Sequence, residues 1–403
     1  MYSFVRRRSV LLFVITLAVV LLVSLVCWRQ SANNQARIRY AIEQTGGLAY
    51  YDYEIDEAGE RIVDAPLPGP SLVREALGID YVANLVRIHF LYGQANDRAL
   101  ELIGGLRRLR FLDGLGPNVT DKGVANIKEF PRLERLGLRE AKVTDQGISH
   151  LASLEHLREL DLTETKVTGA CLQQLRKSRN LRVLKLTFCS ISDSSTQFLQ
   201  AFAGLEELHL QGTSISDDSM DHVVSLKNLQ KLNIAETEIT NDGIRRFRNL
   251  EELVGLNLQA TEIDDGAIPS ILGIDGLIYL DLSKTQVSNE GLVSLCDHPS
   301  LAILSMNDTA VTDPGLSRLF EMPELIELEL RGTEITDEGM DEIARIPGLY
   351  RLDIRNTAVS NAGLMKLSDV EGLAAVWVNG TQVTESGKKA FSKAIGRRVD
   401  FGY

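Results

Sequence analysis

A row of polar side chains spaced 24 residues apart is the feature of this sequence best suited to binding chemistry. Amide, carboxylate, hydroxyl and imidazole groups repeated at one interval can hydrogen-bond a peptide backbone or a sugar. The row, with two residues that flank it, consists of His209, Asn233, Asn257, Tyr279, Asp281, Ser305 and Asn307. We predict that these side chains share one surface and form a candidate binding site.

A second candidate cluster contains Arg331, Arg355 and Trp377, which follow the row in the chain. Arginine and tryptophan are favoured anchors at protein interfaces, so these three residues could bind a protein ligand. Two other interpretations stay open. Arg331 and Asp353 could neutralise each other on a solvated surface, and Trp377 could lie under the C-terminal end of the chain.

Residues that could perform catalysis or hold a metal are dispersed. The six histidines are scattered, and no Ser-His-Asp or metal-ligand spacing can be assembled from neighbouring segments. The sequence also lacks a glycine-rich phosphate loop. We therefore predict a non-enzymatic protein without catalytic, cofactor or metal sites. Cys171, Cys189 and Cys296 mostly replace small residues, which favours buried free thiols over a disulfide framework.

The 24-residue interval belongs to a repeat that starts at Leu85 and continues without insertion or deletion. Positions are numbered from the first leucine of each unit, as in Leu325. Leucine or a similar residue occupies positions 1, 4 and 6 and alternates with polar residues, which predicts short strands such as 327–330 and 351–354. Position 4 should be buried (Leu256, Leu280), whereas position 7 should be exposed (Gln259, Ser283).

Each strand should be followed by a turn and a helix. Threonine is common at position 9, where its hydroxyl could satisfy loop carbonyls between stacked units. Positions 12 and 13 often read Thr-Asp, which predicts helices starting near Thr336 and Ser360, with the acid favoured by the helix dipole. Position 15 is usually small, as at Gly339, which we interpret as room for contact with the adjacent unit.

One strand and one helix in every unit predict an α/β protein, with parallel strands inside an arc and helices outside. The unit resembles the leucine-rich repeat, in the variety with an I-T-D-x-G-L helix start that occurs in cysteine-containing repeats of F-box-type proteins and in many bacterial proteins. The resemblance covers roughly Leu85 to Val383. It implies a right-handed solenoid over residues 85–389, with a curved parallel sheet lining its concave side.

The N-terminus has the pattern of a membrane anchor. Residues 10–28 form an uncharged apolar run, long enough for a transmembrane helix, after a basic tail at residues 1–9 that contains Arg6, Arg7 and Arg8. The basic tail should stay in the cytoplasm, which places the repeats on the periplasmic or extracytoplasmic side. A cleaved signal peptide is the alternative, although Cys27-Trp28 is a poor cleavage site.

The segments that flank the repeats should cap the ends of the solenoid. Residues 30–84 form a juxtamembrane segment and N-terminal cap, with a helix at 37–43, a tyrosine-rich hairpin at 48–63 and apolar residues at 72–77. Residues 390–403 suit a C-terminal cap. The order of anchor, Gly-Gly-aromatic segment and repeats resembles membrane-anchored proteins of planctomycete-type bacteria.

The predicted function is a membrane-anchored, non-enzymatic scaffold that binds a protein, peptide or glycan through its concave face. The chain carries a net charge of −12, and its basic tail makes the remainder more acidic still, which disfavours nucleic acid as a partner. Two alternatives stay open: a substrate-receptor adaptor like F-box-type proteins, and a structural protein of the cell envelope.

Overall fold

The computed structural model describes residues 2–402, and the side chains of all of these except residues 2–15, 18 and 92. The chain divides into two compact units, Met1–Leu157 and Arg158–Tyr403. Each unit contains its own strands, helices and buried core, and each is described below by itself.

The first unit combines a long helix with the beginning of the repeat. Its helices are α1 (Tyr2–Gln44), α2 (Ser71–Leu77), α3 (Asp97–Ile103), α4 (Asp121–Val124) and α5 (Asp145–Ile148), and its strands are β1 (Leu48–Tyr51), β2 (Leu85–His89), β3 (Phe111–Asp113) and β4 (Arg135–Gly137). β2, β3 and β4 pair in parallel, whereas β1 pairs antiparallel with β2. The non-repeat strand β1 therefore covers the first edge of the parallel sheet.

Helix α1 contains the predicted transmembrane segment at 10–28 and the predicted helix at 37–43. Within the part of the chain that the structure describes, none of the helices has the length and apolar character needed to span a membrane. Most of the first half of the predicted segment, at residues 10–15 and 18, lies outside the described side chains.

In the predicted N-terminal cap, Tyr50 packs against Val86 and Phe111 of the first repeats. Tyr51 is fully buried, and its hydroxyl donates a hydrogen bond of 2.7 Å to Asp80. Of the predicted hairpin at 48–63, an antiparallel bridge joins Ile55 to Arg61, whereas residues 48–51 pair with β2 instead. Trp28 donates from Nε1 to the carbonyl of Tyr81, at 3.1 Å.

The second unit contains the remaining repeats, followed by the C-terminal segment at 390–403. Its strands are β5 (Glu159–Asp161), β6 (Val183–Lys185), β7 (Glu207–His209), β8 (Lys231–Asn233), β9 (Gly255–Asn257), β10 (Tyr279–Asp281), β11 (Ile303–Ser305), β12 (Glu327–Glu329), β13 (Arg351–Asp353) and β14 (Ala375–Trp377). Consecutive strands pair in parallel, and the position-4 leucines align, as Leu256 does with Leu280 and Leu280 with Leu304. The strands end one residue earlier than predicted.

The helices of the second unit are short. They are α6 (Ala170–Leu175), α7 (Asp193–Thr196), α8 (Met220–Val223), α9 (Asn241–Ile244), α10 (Ile268–Ile271), α11 (Asn289–Leu295), α12 (Met340–Ile343), α13 (Asn361–Lys366) and α14 (Glu385–Ala394). The predicted start at Ser360 is confirmed, because the Ser360 hydroxyl accepts from the N–H of Ala362. The prediction at Thr336 was too early, since a turn precedes α12, although the Thr336 hydroxyl accepts from Glu338 N–H at 3.2 Å.

Acids at the helix starts bind the following unit. The carboxylate of Asp265 accepts from both the backbone N–H (2.8 Å) and the hydroxyl (2.6 Å) of Ser288, and Asp313 makes the same pair of bonds to Thr336. A Cβ at Gly291 would collide with this Asp265 carboxylate. The predicted close contact at position 15 is therefore confirmed, and its cause is the acid at position 13 of the preceding unit.

The core consists of the aliphatic positions predicted from the repeat, and Leu256 and Leu280 are fully buried. The position-9 threonines are buried too, but they hydrogen-bond within their own unit. Thr333 Oγ1, for example, donates to the carbonyl of Leu330 at 2.6 Å. The prediction that position 9 satisfies loop carbonyls is therefore confirmed, and the carbonyl belongs to position 6 of the same unit.

Position 8 adopts a left-handed backbone conformation even where it is not glycine, as at Ala260 (φ 54°) and Lys284 (φ 57°). In that conformation the N–H of Ala260 reaches the carbonyl of Ser283 in the next unit, at 2.8 Å. A left-handed non-glycine residue is uncommon and unfavourable. The bond between units holds the turn in place against that preference.

Candidate functional site

The structure brings four of the predicted site residues together around one groove of the second unit. The groove has a volume of about 540 Å³ and opens between β7 and β11. The predicted residues that line it are His209, Asn233, Asn257 and Tyr279, and the residues that sequence reasoning missed are Lys231, Leu232, Val254, Gly255, Ile278 and Ile303. The lining is more apolar than the predicted row of polar groups.

Gly255 creates the groove because it has no side chain. It occupies position 3 of β9 and aligns with Lys231 on β8 and Tyr279 on β10. No other repeat unit has glycine at position 3. A Cβ at this site would make ordinary contacts, 3.6 Å from Lys231 and 3.9 Å from Tyr279, so packing does not demand glycine here. A glycine at position 3 was the signal in the sequence that could have located the groove.

One end of the groove carries a charged cluster centred on Glu207. His209 donates from Nε2 to this carboxylate at 2.7 Å, and Lys185 and Lys231 each lie 3.8 Å from it. The hydrogen bond from His209 lowers the pKa of Glu207, burial opposes that shift, and the nearby cations add to it. Glu207 is therefore ionised, and it holds the imidazole at the edge of the groove.

The polar row beneath the groove supports the backbone. Asn233, Asn257 and Asp281 each accept a hydrogen bond from the N–H two residues ahead, at 3.0, 2.9 and 2.9 Å respectively. Asp281 and Ser305 are buried. The row therefore serves the fold as well as the groove. Asn233 and Asn257 stay half-buried beside the groove, whereas burial withdraws Asp281 and Ser305 from a ligand.

The position-7 prediction also fails at one residue. Ser283 is only 4% exposed, and its hydroxyl accepts from the N–H of Asn307 at 3.1 Å, whereas Gln259 is half-buried. Asn307 accepts in turn from the N–H of Arg331 at 2.8 Å and donates to Glu329 at 2.7 Å. Ser283 and Asn307 therefore link neighbouring units to each other.

Tyr279 is the aromatic wall of the groove. Its ring lies beside Gly255, and its hydroxyl is 3.5 Å from Asp281. Burial, followed by repulsion from Asp281 and Glu329, raises the pKa of Tyr279. The phenol therefore stays protonated and is available as a donor at the groove.

The second predicted cluster does not line the groove. Arg355 makes a bidentate contact with Asp353 (2.6 and 2.9 Å), and Arg331 contacts Asp308 at 3.1 Å. The side chain of Trp377 is half-buried, and a Cβ at Gly402 would collide with its indole. Both arginines are therefore neutralised, but Arg331 pairs with Asp308 rather than with the expected Asp353. Trp377 lies against the C-terminal end of the chain.

Reactive groups are buried rather than gathered at the groove. Cys171, Cys189 and Cys296 are buried thiols, as predicted, and burial raises the pKa of Cys296 to about 11. Over the residues that the structure describes, no group of three or more His, Cys, Asp or Glu side chains could hold a metal ion.

Comparisons with known proteins agree on the repeat. The family described as "Leucine-rich repeat region" matches residues 73–314, and "Leucine Rich repeat" matches residues 323–344. An internalin (inlF) from Listeria monocytogenes is 18% identical, with a TM-score of 0.51, over 82% of this chain and 92% of that one. A leucine-rich repeat protein of Leptospira interrogans is also 18% identical, with a TM-score of 0.47, over 75% and 80% of the two chains. None of the curated proteins matches this chain.

Proposed function

Since this chain belongs to the leucine-rich repeat family, whose scaffold fits a role in protein interaction, we propose that it is a non-enzymatic scaffold that binds a polypeptide in the groove at Gly255. The observation that carries the proposal is the notch left by Gly255 between Lys231 and Tyr279. A notch in an otherwise filled strand face can accept a side chain of a partner.

The lining favours a polypeptide over a glycan. Val254, Ile278 and Ile303 supply apolar surface, while His209 and Tyr279 supply polar groups at the margins. An apolar centre with polar groups at the rim is typical of protein interfaces. Binding of a glycan would rest on the polar row, and most of that row already bonds the backbone.

We also propose that α1 anchors the chain in a membrane, with residues 1–9 in the cytoplasm and the repeats on the extracytoplasmic side. The apolar run at 10–28 supports this, as do Leu21, Leu22 and Leu25, which are each about 60% exposed in the described part of the helix. Such side chains need an apolar environment that the protein itself does not supply.

The anchor is tested by carbonate extraction of native membranes. We expect the full-length protein to stay in the pellet, because an inserted helix resists high pH. Release into the supernatant would contradict the anchor. A native N-terminus that begins after Cys27 would show a cleaved signal instead.

The groove is tested with Gly255→Trp, which fills the notch. A matched control is Val183→Trp, because Val183 occupies position 3 of β6 and does not line the groove. Both variants should fold as judged by circular dichroism. We expect a partner captured from membranes by the wild type and by the control to bind Gly255→Trp at least about tenfold more weakly. Equal binding to the two variants would refute the groove.

The same capture separates the two alternative functions. Recovery of ubiquitin-ligase components would support the adaptor interpretation. Recovery of the chain itself as the main partner would support the structural interpretation. In either case, a partner insensitive to Gly255→Trp would lie elsewhere on the surface.

A further inference from the structure

Position 2 of each repeat forms a continuous hydrogen-bonded row along one side of the second unit. The N–H of each position-2 residue donates to the carbonyl of the position-2 residue one unit earlier, as Ile278 does to Val254 (2.9 Å) and Tyr350 to Ile326 (2.8 Å). We call this row the edge row, because it lies immediately before the strands. Its side chains are therefore placed in register at the spacing of the strands.

The side chains of the edge row change character halfway. Its polar stretch consists of Arg158, Arg182, Glu206 and Gln230, and its apolar stretch consists of Val254, Ile278, Ala302, Ile326, Tyr350 and Ala374. Ile278, Ile326 and Tyr350 are 46%, 44% and 49% exposed. A contiguous exposed apolar surface of this kind is a mark of an interaction site.

The apolar stretch is continuous with the groove at Gly255. Val254 and Ile278 belong to both, and Ile303 lies beside Ala302. At a strand spacing of roughly 4.8 Å, the six side chains extend over about 24 Å. A helix of about 16 residues has that length.

The loop in front of the apolar stretch is acidic. The residues at positions 23 and 24 that precede its members include Glu251, Glu252, Asp275, Glu324 and Glu371, all of them exposed. The corresponding loops before the polar stretch contain Arg179 and Lys227, and Glu155 is the acid that precedes Arg158. Arg351, which follows Tyr350 on the strand side, lies 3.4 Å from Glu327, and Lys231, at the groove, lies 3.8 Å from Glu207, so both cations are paired. At positions 23 and 24, the loops before the apolar stretch therefore carry acids and no bases, whereas the loops before the polar stretch are of mixed charge.

We propose that the apolar stretch docks a cationic amphipathic helix of a partner protein, with its apolar face on Ile278, Ile326 and Tyr350 and its lysines or arginines facing the loop carboxylates. Opposite charge at the rim steers such a partner and fixes its orientation. A second copy of this chain fits less well, because it would bring one acidic border against another. The inference rests on the proposed function, since the groove accepts one end of the same partner.

The test uses the full-length chain in phosphatidylcholine nanodiscs, with empty nanodiscs as background. The probes are two fluorescent peptides of about 18 residues, long enough to span the stretch as helices. One is built from leucine and lysine, and the other has glutamate in place of every lysine. Fluorescence anisotropy should show binding of the lysine peptide and much weaker binding of the glutamate peptide.

Two double variants separate the apolar and electrostatic parts. Ile278→Gln with Ile326→Gln should weaken binding of the lysine peptide about tenfold or more, because apolar anchors dominate such interfaces. Glu251→Gln with Glu252→Gln should weaken it less and reduce its dependence on salt. Gln230→Asn, in the polar stretch, is the matched control and should leave binding unchanged.

Several results would overturn the proposal. Equal binding of the two peptides would remove the cationic preference, and unchanged binding by the isoleucine variant would remove the apolar stretch. A dimer in analytical ultracentrifugation that this variant dissociates would make a second copy the occupant. Failure of the lysine peptide to bind at all would also overturn it. The proposed function is judged separately, by whether Gly255→Trp loses the partner captured from membranes.

Discussion

The polar and apolar stretches of the edge row share one backbone and carry different side chains. Gln230 and Val254 are consecutive members of the same ladder, and the Val254 N–H donates to the Gln230 carbonyl at 2.8 Å. The ladder is therefore indifferent to the side chain at position 2. This difference teaches that position 2 is free to vary for function, because its contribution to the fold comes from the main chain.

Position 5 shows the opposite behaviour. It alternates with the core like an exposed position, yet Asn233 and Asp281 accept backbone N–H groups and stabilise the turn. A polar side chain in a repeat can thus serve the fold, and an apolar side chain can serve a partner. The repeat units that carry the two stretches should therefore contribute equally to the stability of the fold and differ only in their exposed side chains.

The largest losses of stability should come from substitutions in the core. They should be equal in the units that carry the polar stretch and in those that carry the apolar stretch. Leu208 on β7 and Leu280 on β10 are both fully buried at position 4. Changing either to alanine should lower the free energy of unfolding by about 2–5 kcal/mol, because each change leaves a cavity. Denaturant titration measures both. A large loss in one stretch and a small loss in the other would break the comparison.

The acids at position 13 should come next. Asp217 lies in the same unit as Glu206 of the polar stretch, and its carboxylate accepts from the backbone N–H and the hydroxyl of Thr240 at 2.9 and 2.6 Å. Asp265 lies in the same unit as Val254 of the apolar stretch and makes the same pair of bonds to Ser288. Changing either acid to alanine should lower the free energy of unfolding by about 1–3 kcal/mol, because a backbone N–H loses its acceptor. The matched control is Asp265→Asn.

Asparagine at Asp265 should retain most of the stability. The chain already uses Asn289 in this role, where it accepts from the N–H of Thr312 at 2.8 Å. A loss with asparagine as large as with alanine would mean that the charge is needed, not the acceptor.

In the units that carry the apolar stretch, burial rather than residue type should decide how much a substitution at position 7 changes the free energy of unfolding. Ser283→Ala should lower the free energy of unfolding by about 1 kcal/mol, because the buried N–H of Asn307 loses its partner. Gln259→Ala, one unit earlier, should change it by less than about 0.5 kcal/mol. Equal effects in denaturant titrations would contradict the buried assignment of Ser283.

A weaker effect should depend on pH. His298 is buried, and burial lowers its pKa, opposed by a hydrogen bond to the carbonyl of Ile274 and by the nearby Asp275. Nδ1 faces the N–H of Ser300 at 3.4 Å, which fits the neutral ring. The unfolded chain binds a proton more readily, so stability should fall as pH decreases through about 6.5.

His298→Gln should flatten that dependence between pH 7.5 and 5.5. The lowered pKa of Asp193 and Asp337 affects stability only in more acidic solution, so the window isolates the histidine. An unchanged slope for the variant in thermal unfolding would rule out His298 as its source.

The smallest effects should come from the edge row itself. Ile326→Gln and the reverse exchange Gln230→Ile should each change the free energy of unfolding by no more than about 0.5 kcal/mol, because both side chains are exposed. Calorimetry of the two variants sharpens the comparison. A loss above about 1 kcal/mol for Ile326→Gln would show that the apolar stretch packs within the fold.

The repeat predicted the strands, the buried leucines and the helix start at Ser360, because these depend on residues close together in one unit. Leu256 and Leu280 are buried, and the helix at Ser360 begins as expected. The candidate site was predicted only in part. The groove does bring together four predicted residues, His209, Asn233, Asn257 and Tyr279. It depends, however, on the missing side chain at Gly255.

The sequence alone determined which residues face the core, because a strict period places each leucine on the same side of every strand. Only the tertiary structure decided which polar groups are already hydrogen-bonded within the fold. Asp265 meets Ser288, and Ser283 meets Asn307, because residues 23 or 24 apart become neighbours when units stack. A hydrogen bond requires a partner within about 3 Å, and stacking sets that distance. At position 2, Ile278, Ile326 and Tyr350 keep their side chains exposed while their backbones bond the neighbouring units. In the polar stretch, the side chain of Arg182 also pairs with Glu206 at 3.4 Å.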